Sequence, residues 1–288
     1  LSRGLGDVYK RQIQKCFWLF LLPTFAAFCI GFLYPFCKGF FLSFCDFKTT
    51  KNWTWAGIKN YIAAFQDKSF GHAFWYTALF AVVSLVLINV IAFAIAYALT
   101  RGIKGSNLFR TVFFMPNLIG GIVLGYIWSM IFNGILIKYS TSVVLESKYG
   151  FWGLIILMCW QQIGYMMIIY VAGLQSVPED MLEAARIDGA NGWQVLTRIK
   201  LPLISPTIVT CIILCVASAM KTFELPWTMT SGGPAGASTT MVLKIYNTAF
   251  NANRTGYATA QSTILFVLIA SISFVLNIIM RRREARLQ

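Results

Sequence analysis

Polar residues are scarce along this chain, and they fall between long apolar runs rather than alternating with them. Six runs stand out, at about 17–36 (extending toward 44), 73–99, 108–132, 151–174, 203–223 and 258–280. Each is near the roughly 20 residues an α-helix needs to cross the hydrocarbon core of a bilayer. A membrane β-barrel shows short alternating segments, and these runs are continuous, so strands are not expected. The pattern predicts an all-α, polytopic membrane protein with six transmembrane helices.

Composition strengthens this picture. The 288 residues are 58% hydrophobic and 12% charged, with a mean hydropathy of +0.67. A soluble domain is about 45–50% apolar and about 25% charged, so too little charge is present to build a water-facing surface. The net charge of +14 does not point to nucleic acid, because the basic residues cluster between apolar runs, where they set topology and meet anionic headgroups. The seven cysteines, Cys16, Cys29, Cys37, Cys45, Cys159, Cys211 and Cys215, lie mostly inside apolar runs and read as small apolar packers. His72 is the only histidine. Neither a metal site nor a disulfide framework is expected.

Lys and Arg placement predicts orientation. Arg281, Arg282, Arg283 and Arg286 follow the last run, Arg101, Lys104 and Arg110 lie between the second and third, and Arg186, Arg198 and Lys200 between the fourth and fifth. All these belong on the cytoplasmic side, with both termini and Lys15. The first external loop dissents, holding Lys38, Lys48, Lys51, Lys59 and Lys68. The run Asp7-Val8-Tyr9-Lys10-Arg11-Gln12 resembles the translation of a sequencing-adapter end. Residues 1–12 are therefore expected to be an artefact, and 13–288 a single transmembrane domain.

Within the runs, Gly121 and Gly125 form a small-xxx-small pair that permits close helix approach. Pro116 and Pro206 are candidates for breaking helices where backbone lines a cavity.

The longest cytoplasmic polar stretch, 176–202, carries the chemistry. Ser176-Val177-Pro178-Glu179 reads as a capping box, with Glu179, Asp180 and Glu183 favourable at a helix N-terminus. The helix should end near Ile187 at Gly189, which takes the left-handed conformation readily. Ala184-Ala185 lets another surface approach the backbone, and Glu183 offers a charge to a basic partner. These residues describe a docking helix outside the bilayer.

Glu183-Ala184-Ala185, then Gly189, Ile199 and Leu201-Pro202 at this spacing, resemble the signature loop of binding-protein-dependent ABC importer permeases. The run from Leu182 to Ala190 is most similar to the carbohydrate branch. Leu22-Pro23, Tyr34-Pro35, the stretch Trp55 to Tyr61 with Asp67 and Phe70, Gly232-Gly233-Pro234, Ile245-Tyr246, Ala249-Phe250 and Gly256-Tyr257-Ala258 look like the first permease of maltose- or glycerol-phosphate-type systems. The resemblance implies a type I ABC importer permease fold with a cytoplasmic coupling helix, in the bacterial inner membrane. It also implies a second homologous permease, two ATPase subunits that hydrolyse ATP, and an extracytoplasmic solute-binding protein. Glu183, Ala184, Ala185, Gly189, Ile199, Leu201 and Pro202 would dock the ATPase, and the two permeases would rock between inward- and outward-facing states.

The chain has no phosphate-binding Gly-Lys-Ser/Thr loop and no catalytic constellation, so no enzyme activity or cofactor is expected of it. Polar groups inside spans are then the candidates for a solute path. They are Asn89, Asn117, Trp128, Trp160, Gln161, Gln162, Tyr165, Lys221 and Glu224. Amides and a carboxylate can hydrogen-bond a sugar while rings cover its apolar faces, and Asn117, Trp160, Gln161, Tyr165 and Glu224 form the favoured set. Gln161 and Tyr165 lie one turn apart on one helix face. Lys221 and Glu224, three apart, can instead pair with each other. A polyamine, amino acid or phosphate ester is the alternative cargo, and an ATPase-independent channel or facilitator the alternative mode.

Overall fold

The computed structural model describes residues 17, 21–49 and 51–284. The expected artefact at 1–12, together with Lys15, Cys16 and Arg286, lies outside the described residues. Among the described residues, six helices are long and apolar enough to cross a membrane. The first, α1 (Leu21–Leu42), contains a wide turn at Cys29–Leu33. A hairpin of β1 (Cys45–Thr49) and β2 (Asn52–Trp55) follows. Next come α2 (Lys59–Gln66), α3 (Lys68–Leu99), α4 (Ser106–Phe114), α5 (Gly121–Leu136) and α6 (Ser147–Gln175). The chain continues through α7 (Glu179–Ile187), α8 (Ser205–Met220), α9 (Glu224–Met229), α10 (Met241–Tyr246) and α11 (Thr255–Glu284).

Two compact units emerge. One comprises the described residues through Ala64 together with Thr248–Thr263; the other comprises Phe65–Asn247 and the described residues from Ile264. In the first, β1 and β2 pair antiparallel, with Cys45 opposite Trp55 and Phe47 opposite Trp53. The hairpin departs from the expectation of no strands. Runs of five and four residues are too short to register against the apolar segments around them.

In the second unit, α3 and α6 form the core. The Asp67 side chain accepts from the Ser69 amide at 2.9 Å and so caps α3. At 32 residues α3 is about 48 Å long, more than a bilayer's hydrocarbon thickness. Ala73, Thr77, Ala81, Ser84, Ile88, Ala92 and Ala96, three or four apart, make a buried and mostly small stripe. Lipid is as apolar as a side chain, so this close backbone approach, rather than hydrophobic burial, draws α3 to its neighbours. α6 packs against α3 and buries Leu154, Ile155, Leu157, Met158, Met166, Met167 and Tyr170 among its neighbours. Phe151 of α6 meets Tyr76 and Phe80 edge-on at 5.7 and 6.3 Å. From α8, Cys211, Cys215 and Ala219 bury one face, which bears out the reading of the two cysteines as small packers.

One long-range polar tie in the core joins α3 to α6. Tyr170 donates its hydroxyl to Asn89 Oδ1 at 2.8 Å, while Asn89 Nδ2 bonds the Leu85 carbonyl at 2.8 Å. Removing the hydroxyl in Tyr170→Phe leaves that amide oxygen without its donor. The expected cost is about 0.6–1.7 kcal/mol, the range for hydrogen bonds between membrane helices, read as a small drop in thermal stability in detergent.

At the other end of α3, Lys244 of α10 lies 3.6 Å from Asp67 and also donates to Ser69. Burial alone raises the Asp67 carboxyl; the Ser69 hydrogen bonds and the Lys244 charge outweigh it and hold the group below its ordinary value. With the folded value depressed, the stabilisation is present above the unfolded pKa and is lost as pH falls through the folded one.

Two expectations about helix continuity change. The third apolar run is not one helix: α4 passes into a tight turn at Met115–Leu118 that contains Pro116, the chain extends at Ile119–Gly120, and α5 begins at Gly121. Pro116 therefore marks a break. Pro206 does not, because it occupies the first turn of α8, where a missing amide hydrogen costs nothing. The fifth run breaks instead at Lys221–Phe223, between α8 and α9.

Candidate functional site: a docking loop and two broken helices

The loop between the fourth and fifth spans carries α7 as a free-standing helix of nine residues. Its start differs from the predicted capping box. Pro178 is the N-cap, and a proline disfavours helical backbone in the residue before it, so the helix cannot begin at Val177. Ser176 turns the other way, its hydroxyl donating to the Gly173 carbonyl at the end of α6 at 2.8 Å. A capping box does form fifteen residues later. Asn191 Oδ1 accepts from the Gln194 amide at 2.9 Å, and Gln194 Oε1 from the Asn191 amide at 2.8 Å.

The end of α7 matches expectation. Gly189 has φ +76°, its amide bonds the Arg186 carbonyl at 3.1 Å, and the Ala190 amide reaches the Ala185 carbonyl at 2.9 Å. Together these make a Schellman termination. The chain then runs helically through Val195–Lys200 and Leu201–Leu203 into α8, carrying Ile199, Leu201 and Pro202, all half-buried.

Exposure separates the two alanines. Glu183 and Ala184 are exposed, whereas Ala185 is buried at 8%. Only Ala184 can face a partner; Ala185 packs α7 onto its own loop. Beside Ala184, Ile187 is 85% exposed and Trp193 71%. Sequence reading passed over these two residues. Their signal was large apolar side chains in an otherwise polar loop, which soluble surfaces rarely favour. The split makes a prediction. Ala184→Leu should weaken partner binding without loss of stability, whereas Ala185→Leu should overpack the loop and cost about 1–3 kcal/mol. Pull-down and thermal melting of the two variants separate the effects.

The loop is tied to the second span. At the end of α3, Tyr97 accepts from Arg101 at 2.7 Å, and its ring lies beneath Arg101 at 4.4 Å and Lys200 at 5.5 Å. Arg101 and Lys200 thus converge on one residue, as their predicted common side requires. The loop therefore touches α3 through this contact and joins α8 through continuous backbone.

The two helix breaks meet within the same unit. α5 packs against α9 with Gly121 opposite Glu224 and Gly125 opposite Thr228. A Cβ on either glycine would collide with that partner's side chain, so the small-xxx-small pair permits the close approach the sequence predicted. At the other break, Gln161 Nε2 reaches the Ile119 carbonyl at 3.5 Å, offering a donor to backbone that the interrupted helix leaves unpaired. Gln161 and Glu224 therefore border the same interrupted segment, 115–121, with half-buried Asn117 inside it. Trp160 meets Trp128 at a tilt, 5.4 Å between ring centres, and stays 40% exposed. Tyr165 is also exposed, one turn beyond Gln161, with no contact that joins it to the other four. Lys221 and Glu224 do not pair: among the described residues the only ion pair is Lys244–Asp67.

Residues 91–288 match the family described as the binding-protein-dependent transport system inner membrane component. The chain belongs to this family. Over 94% of its length it is 36% identical to the probable starch degradation products transport system permease protein of Thermoanaerobacterium thermosulfurigenes, of which the match covers 96%. It is 31% identical to the sn-glycerol-3-phosphate transport system permease protein of Agrobacterium fabrum over 75% of this chain and 78% of the relative. Among solved structures, one chain of a bacterial ABC transporter that imports the acidic polysaccharide alginate aligns with a TM-score of 0.80 at 21% identity. That alignment covers 95% of this chain and 98% of the other. The fold is thus that of an ABC importer permease, as the resemblance implied, and the protein is a transport component of the inner membrane.

Proposed function

We propose that the chain is one of two permease subunits in an ATP-driven importer that carries carbohydrate across the bacterial inner membrane. The observation that carries this reading is α7: a short helix outside the spans, stopped by a left-handed Gly189, with Glu183 and Ala184 exposed. Two ATPase subunits would receive it, ATP being bound and hydrolysed there. A second, homologous permease and an extracytoplasmic solute-binding protein complete the assembly, with both termini of this chain cytoplasmic.

ATP-driven closure of the ATPase pair moves α7. Tyr97 and the helical stretch 192–203 pass that motion to α3 and α8, and the two permeases change the side to which their cavity opens. Asn117, Gln161 and Glu224 at the paired breaks, with Trp160 and Tyr165 nearby, line the solute path. A carboxylate on a membrane-crossing segment is costly unless it serves a solute or a partner.

Carbohydrate as cargo rests on the relative whose printed function is transport of starch degradation products. The glycerol-phosphate relative supports a second reading, a phosphate ester, to which the Lys221 ammonium beside the fifth-span break is suited. Uptake into proteoliposomes holding the whole importer decides between them. With internal ATP, labelled maltooligosaccharide should accumulate and glycerol 3-phosphate should not compete. Accumulation without ATP, or competition by the phosphate ester alone, overturns the carbohydrate importer.

A further inference from the structure

The hairpin between the first two spans carries an exposed aromatic surface. Paired residues of an antiparallel ladder point to the same side, so Trp55 shares a face with Cys45 and Trp53 with Phe47. Cys45 and Phe47 are buried, and the β1 backbone runs so close to Gly256 that a Cβ there would strike it. Trp53 and Trp55 remain 47% and 64% exposed. Phe41, at the end of α1, meets both rings at 5.4 and 5.9 Å, and Phe44 stacks on Trp55 at 6.0 Å. The same exposed aromatic line continues down α1 through Phe36, Phe32 and Phe28, the last two stacked at 5.2 Å.

Height and charge identify what covers this face. β1 begins three residues after α1 ends at Leu42. At about 3.3 Å per residue Cys45 is within about 10 Å of the span's end, and contact with Phe41, on the last turn of α1, holds the Trp53 and Trp55 rings at the height of that end, where hydrocarbon gives way to headgroups. Tryptophan is favoured at that depth because its ring is apolar and its N–H needs a polar partner. The same stretch of chain exposes Lys38, Lys48, Lys51 and Lys59, with Asp46 the one carboxylate between 38 and 60.

We infer that this hairpin is an interfacial anchor for anionic lipid, with Trp53, Trp55 and Phe41 seated at the boundary between acyl chains and headgroups and the lysines on lipid phosphates. The lysines that dissent from the charge rule for topology then have a different role, in lipid contact. Assignment to the outer leaflet rests on the importer reading, through the alternation of spans. The seat in the interface does not.

The test uses the full chain in nanodiscs and reads the emission lost on Trp53→Phe/Trp55→Phe. That difference spectrum should fall by about half when phosphatidylglycerol brominated near the headgroup replaces the unbrominated lipid, and aqueous iodide should leave it nearly unchanged. Lys48→Gln/Lys51→Gln/Lys59→Gln should weaken the bromolipid quenching. Trp55→Phe alone gives the same readout if the double variant fails to insert. Full quenching by iodide with none by bromolipid overturns the anchor. Protection from iodide that appears only on adding the solute-binding protein also overturns it and gives the face to that soluble partner. Either result leaves transport intact, so it is distinguishable from failure of the importer reading.

Discussion

Glu183→Lys abolishes ATP-dependent uptake while leaving the chain in the membrane. Glu183 is exposed on a helix that touches no other span of its own chain closely enough to bury it. Reversing its charge therefore disturbs nothing in the permease itself. In a docked interface the same change replaces an attractive pair with a repulsive one, and breaking a buried charge pair costs about 2–5 kcal/mol. At 1.4 kcal/mol per decade, that is roughly a 30-fold loss of affinity or more. ATPase co-purification and uptake should fall together, with membrane insertion and melting unchanged. Normal ATPase binding by Glu183→Lys would remove α7 from the interface.

Gly189 tests the same loop through backbone rather than charge. Nothing lies within 4 Å of a Cβ built there, but φ is +76°. The cost of a side chain is therefore conformational strain and not collision. Asn and Asp tolerate the left-handed region, and β-branched residues do not. Gly189→Val should consequently lose more uptake than Gly189→Asn. A collision-based account predicts instead that the two, being close in volume, behave alike.

Much of this architecture is legible from hydropathy because burial in lipid demands long uninterrupted apolar helices. The six spans, the existence of α7 and its glycine stop all follow from local rules. What escapes those rules is set by contacts between distant segments. The break at Ile119–Gly120 lies inside an apolar run, where hydropathy is blind. Pro116 marks its neighbourhood, but that Gln161 reaches the Ile119 carbonyl and Glu224 lies against Gly121 there is set by distant segments. The fifth-span break at Lys221–Phe223 carries no proline, and Pro206 is harmless in the first turn of α8. Ser176 does not cap α7 despite its Ser-x-x-Glu spacing, because Pro178 lies between the two residues. Asn191 and Gln194 satisfy the same rule with no proline in the way. The solute-path candidates were chosen by residue type. The structure gathers three of them, Asn117, Gln161 and Glu224, about one interruption, which residue type alone does not predict.

Gly164→Val tests that gathering at its tightest point. A Cβ at Gly164 would overlap the Phe113 carbonyl and crowd the Phe114 amide, both backbone atoms of α4. A side chain in the way can rotate aside, but this backbone is held at one end by the turn at Met115–Leu118 and at the other by its own helix. The strain must move α4 away from α6, and with it Ile119 away from Gln161. Overpacking costs about 1–3 kcal/mol, and an immovable neighbour puts this site at the upper end. The expected result is a large drop in melting temperature and loss of uptake even with α7 untouched. Gly134→Ala is the control: it is exposed in α5 with nothing within 4 Å of the added carbon. It should melt at or slightly above the parent, since alanine favours helix by about 1 kcal/mol over glycine. If Gly164→Val melts like Gly134→Ala, α4 and α6 do not cross closely at Gly164, and the approach of Gln161 to Ile119 loses its support.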